Sequence, residues 1–167
     1  MVENKQIITV FQALTAVHEK FNAQALQKEE VVKKGDIPAL EKLLKEESAL
    51  VQQLRKLEQT RHHLVQTWLE EKGFVKEDVT MDKLLQFYPE EEREDLQYWQ
   101  QCLMTEISKL KQQNEFNQQL IEESLRFVNM SLESMQPKND LGNYERPNRK
   151  INQSYSSEGR SIFDSKA

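Results

Sequence analysis

The stretch VVKKGDIPALEKLL, Val31 to Leu44, decides how this chain folds. Gly35 can end a helix, because glycine alone takes the left-handed conformation of a C′ residue without a Cβ clash. Asp36 follows as a cap for a second helix, and Pro38 falls in that helix's first turn, where a missing N–H is no loss. One helix therefore stops and another starts across a two-residue connection. A link that tight makes the two helices antiparallel neighbours.

Outward from the turn, the apolar positions on both sides step alternately by four and three. Before it come Ile7, Phe11, Leu14, His18, Phe21, Ala25, Lys28 and Val32. After it come Leu40, Leu43, Glu47, Leu50, Leu54, Leu57, Arg61, Leu64 and Trp68. Such spacing marks a coiled-coil seam. Lys28 and Glu47 interrupt the two seams at nearly equal distance from the turn, which predicts an ion pair across the hairpin that fixes its register. Further along, Gly73 reads as the C′ residue of the second helix, Thr80 as a cap, and Pro89 as the opening of a last helix. Glu90, Glu91 and Glu92 stand there where the helix dipole favours negative charge. Pro137 closes it. The expected helices are 4–34, 37–72, 81–87 and 90–135.

The last of these carries Leu96, Trp99, Leu103, Ile107, Leu110, Asn114, Asn117, Ile121, Leu125, Val128, Leu132 and Met135 on one winding stripe. The fold class is thus all-α: a long antiparallel hairpin, a short helix, and a third long helix that starts beside the end of the second and runs back along it. Residues 1–135 form this bundle. Residues 136–167 hold prolines, glycines, serines and asparagines without a helical period, and carry six basic and four acidic residues against 17 and 24 in the body. That composition reads as a flexible tail with short recognition elements.

Composition excludes several functions. A net charge of −5 argues against nucleic acid and anionic membranes as partners. No apolar run is long enough to span a membrane, no signal peptide is legible at the N-terminus, and one cysteine, Cys102, suits a reducing cytoplasm. No catalytic residue, metal ligand set or cofactor is expected. His62 and His63, adjacent on a helix, point about 100° apart and cannot share a metal, and His18 reads as a seam residue. HHLVQTW lacks the Lys-Gly pair that follows the phospho-accepting histidine of phosphotransfer bundles. Cys102 reads as a buried filler with no histidine beside it, and there is no glycine-rich phosphate loop.

Helix lengths point instead to a surface. The last helix outruns the second by roughly ten residues, so Arg126–Met135, with Phe127, Val128, Met130, Leu132 and Met135, should project beyond the Gly35 turn. Side chains of this kind gain about 1.5–3 kcal/mol each on burial. Set against association costs of about 4–15 kcal/mol, that allows a modest, reversible affinity for a partner helix. Cover by the tail or by a second copy of the chain is the alternative. Asn114 and Asn117 lie on the stripe, where they either set register within the bundle or bond to a partner. Tyr144, Tyr155, Ile162 and Phe163 read as docking anchors in the tail.

The run NEFNQQLIEESLRFVNMSLESM (114–135), with Asn114, Asn117 and Leu120 followed by Leu125, Val128 and Leu132, and the tail element YSSEGRSIFDSKA (155–167) resemble the FlgN family of flagellar export chaperones, in a Bacillus-like version. The resemblance implies a cytoplasmic protein that covers the terminal helices of flagellar hook-associated proteins and brings them to the type III export apparatus. Its contact surface would comprise Asn114, Asn117, Leu120, Ile121, Leu125, Phe127, Val128, Met130, Leu132 and Met135, with Tyr144 and Tyr155 toward the export machinery. The competing expectation is a coiled-coil adaptor that self-associates through the same stripe.

Overall fold

A computed structural model describes residues 2–74 and 80–137. Its elements are α1 (Asn4–Lys34), α2 (Ile37–Glu71), α3 (Met81–Leu85) and α4 (Glu90–Met135), with no strand among the described residues. Gly35 has φ 66° and ends α1 as expected. Its N–H donates to the Val32 carbonyl (3.1 Å) and that of Asp36 to the Val31 carbonyl (3.2 Å), the paired bonds of a Schellman motif. Asp36 then accepts from the Ala39 N–H (3.1 Å). Gly73 (φ 83°) repeats the device, its N–H on Glu70 and that of Phe74 on Leu69. Thr80 sits at the N-cap of α3 but makes no side-chain cap bond, and α3 ends at Leu85 rather than Phe87. Beyond Leu85 the chain winds on through shorter i to i−3 bonds at Phe87 and Tyr88.

α1 is the central helix. α2 packs on it across the hairpin and α4 packs along it, while no Cα of α2 comes within 8 Å of α4. The last helix does run back toward the turn, but its main-chain neighbour is α1, not α2. The reason is in α1 itself. Besides the expected seam from Ile7 to Ala25, it buries Ile8, Val10, Thr15 and Val17, so it has apolar surface for two partners. α2 is less enclosed, with only Leu43 and Trp68 fully buried.

The core sits at the end away from the Gly35 turn. Ile7, Phe11, Leu14, Trp68, Leu84, Leu85, Tyr88, Leu96 and Leu103 form one cluster there, with α3 across its base. Trp68 is 1% exposed. Its indole N–H donates to Asn4 Oδ1 (2.9 Å), and Asn4 Nδ2 donates to Glu92 (2.6 Å), which links α2, α1 and α4 in series. Arg93 donates to the Leu85 and Tyr88 carbonyls (3.0 and 3.1 Å), tying the end of α3 to the start of α4.

Candidate partner-binding surface

Cross-helix hydrogen bonds give the register of α4 on α1. They join Asn4 to Glu92, Asn22 to Glu106, Glu29 to Gln113 and Ala25 to Asn117, number differences of 88, 84, 84 and 92. Both helices therefore run the same way, and Lys34 lies level with about residue 122 of α4. The remainder of α4, to Met135, extends about 20 Å past the turn at 1.5 Å per residue.

Toward the turn the packing becomes polar. Asn117 Nδ2 donates to the Ala25 carbonyl (2.8 Å), and its Oδ1 accepts from Gln113 Nε2 (3.0 Å), which also donates to Glu29 (2.7 Å). Asn22 Nδ2 donates to the main-chain carbonyl and the carboxylate of Glu106 (3.0 and 2.7 Å). Lys28 bridges to Glu47 across the hairpin, as the two seam interruptions predict. Lys33 first and Gln113 second hold the Glu29 carboxyl below its ordinary value. Lys109 does the same for Glu106, with help from Asn22.

The residues singled out in sequence separate into two groups here. Asn117 is 3% exposed and its amide is bonded within the chain, to the Ala25 carbonyl of α1. Leu120 and Ile121 are half-buried at the level of the turn, and Asn114 is exposed. Leu125, Phe127, Val128, Met130, Leu132 and Met135 are all exposed, Phe127 by 72% and Met135 by 78%. Tyr144, Tyr155, Ile162 and Phe163, with the tail that carries them, lie outside the described residues.

The other polar groups stay apart. His18 is buried, with Nδ1 donating to the Leu14 carbonyl (2.8 Å), while His62 and His63 are exposed. Cys102 is half-buried rather than buried, and its contact with the exposed Tyr98 hydroxyl raises that phenol's pKa. Among the described residues no three of His, Cys, Asp or Glu gather to hold a metal ion, and no helix is long and apolar enough to cross a membrane.

The described residues thus form a three-helix body from which one helix runs on with exposed apolar side chains. The chain belongs to the FlgN family: the family profile (FlgN protein) matches residues 1–150, and the family is one of flagellar export chaperones rather than enzymes. It is similar to a protein of Bacillus subtilis (strain 168) described as uncharacterized protein YvyG, 27% identical over 142 residues that cover 85% of this chain and 86% of that one. No solved structure matches it.

Proposed function

We propose that the protein is a cytoplasmic chaperone that holds the terminal helices of flagellar hook-associated proteins, prevents their premature assembly, and delivers them to the flagellar type III export apparatus. One observation carries this reading: the apolar stripe Leu125–Val128–Leu132–Met135 is left uncovered past the point where α1 and α2 end. An amphipathic client helix would bury those side chains at about 1.5–3 kcal/mol each, which is enough for binding that can still be reversed at export. The acidic, membrane-incompatible body suits a carrier that meets proteins rather than lipid or nucleic acid.

Calorimetric titration of the full chain with a recombinant hook-associated protein from the same bacterium tests the reading. Replacing Val128, Leu132 and Met135 together by Asp should abolish binding while leaving helicity intact. Unchanged affinity in that variant would place the client elsewhere. The export contact is assigned to the tail, with Tyr144 and Tyr155 as its anchors and Ile162 and Phe163 behind them. Removing residues 136–167 should then spare client binding and lower export. The same exposed stripe supports a second reading, a self-associating adaptor. A stable dimer in light scattering at low micromolar concentration, lost in the triple variant, would favour it.

A further inference from the structure

At the Gly35 turn the bundle loses two of its three helices, and α4 continues alone. Its apolar surface does not narrow there. Ile121, Leu125, Val128, Leu132 and Met135 prolong the inner stripe in steps of four and three, while Phe116, Leu120, Phe127 and Met130 form a second run on another side, interrupted by Glu123 and Ser134 much as Lys28 and Glu47 interrupt the hairpin seams. Only Ser124 and Ser131 separate the two runs, and their hydroxyls bond back to the carbonyls of Leu120 (2.8 Å) and Phe127 (2.9 Å). At about 100° per residue the two runs and the serines occupy about 220° of the circumference. Glu123 is the charged residue inside that sector, and the rest carries Glu115, Glu122, Arg126 and Glu133.

A helix that packs on one neighbour needs an apolar strip only a little over about 100° wide. Within the body, α1 shows what a wider sector serves. Its buried doublets Ile7–Ile8, Val10–Phe11 and Leu14–Thr15 lie between α2 and α4, which both pack on it. The inner run of α4 is also continuous with the face that meets α1 lower down, through Leu96, Leu103 and Asn117.

We infer that the projecting part of α4 takes two client helices side by side, one in the line that α1 follows within the body and one along the Phe127–Met130 side, so that the loaded chaperone continues as a three-helix bundle past the turn. This rests on the client-chaperone reading. The occupant is one client chain that supplies both helices, each about 14 residues or longer to span about 20 Å. Their apolar residues are spaced by three and four, with basic residues toward the Glu115, Glu122 and Glu133 flank. A second copy of this chain does not fill the role. It would bring one projecting helix, which covers one run and leaves the other in water.

The test uses the full chain with p-benzoylphenylalanine in place of Val128 or, separately, of Phe127, mixed with a full-length recombinant hook-associated protein, irradiated, and mapped by mass spectrometry. The two positions should mark two different client segments in a one-to-one complex. Val128→Asp and Phe127→Asp should each weaken binding about tenfold or more, with unchanged melting curves because both sites are exposed. One client segment marked from both positions overturns the inference, as does a Phe127→Asp variant that binds within about twofold of the parent. A Phe127 crosslink to a second chaperone copy overturns it too. In each of those cases the complex still forms and the client reading stands; failure of the parent chain to form any complex brings down both.

Discussion

Asn114 and Asn117 stand three residues apart on the same helix, and only their surroundings separate them. Asn117 reaches α1 at Ala25 and is enclosed there, whereas Asn114 faces water. Truncating a buried hydrogen-bonded amide costs about 1–3 kcal/mol, so Asn117→Ala should lower the unfolding free energy measured in urea by that amount and Asn114→Ala should leave it unchanged. Equal effects would mean that the Ala25 bond contributes nothing. At Gly35 the reasoning concerns backbone alone. An added Cβ would meet nothing within 4 Å, yet the residue holds φ 66°. Gly35→Ala should therefore destabilise by about 1–2 kcal/mol through conformation only, and Gly35→Asn by less, since asparagine tolerates that region. Thermal melts of the pair check this; identical losses would point to sterics instead.

Helices α1 and α4 show how much was legible and why the rest was not. Caps and breakers are local chemistry, so Gly35, Asp36, Gly73 and Pro89 placed the boundaries of the three long helices to within a residue. Thr80 did not work as a side-chain cap, since nothing in its own sequence dictates where its hydroxyl turns. Reading α1 as a single seam hid its second buried face. The signal lay in the doublets at 7–8, 10–11, 14–15 and 17–18, twice as wide as a hairpin requires. Which helix would claim that face depends on packing, and the stripe on α4 carries no partner's address. Nor could spacing decide that Asn117 is consumed within the bundle while its neighbour is not. The projecting end was legible because it follows from helix lengths. At this scale, Val128→Asp with Leu132→Asp should leave the melting temperature unchanged, because neither side chain is packed on the chain itself. A drop of several degrees would show that the stripe is covered in solution.

Across the whole molecule, apolar packing is concentrated at the end away from the turn, where the Trp68–Asn4–Glu92 bonds lie at its edge, and the contacts become polar toward the turn. The end with Trp68, Tyr88, Leu96 and Leu103 is held by hydrophobic burial, which does not titrate at acid pH. The end near the turn relies on carboxylates, with Glu29 accepting from Gln113 and Glu106 from Asn22 across the α1–α4 interface. Both carboxyls are held below their ordinary value of 4.5 in the folded chain, first by Lys33 and Lys109 on their own helices and then by Gln113 and Asn22 across the interface. The unfolded state therefore takes up protons first as pH falls. The stability these bonds contribute is complete above about pH 4.5 and is lost as pH drops through the lower, folded-state values. Hydrogen exchange corrected for intrinsic rates should show the amides of residues 106–117 losing protection as the pH falls below about 4.5, while those of residues 96–103 keep theirs. Glu29→Gln should move that loss toward its neutral-pH behaviour by removing one titrating partner. Uniform loosening of α4 under acid would mean that the two ends unfold as one unit.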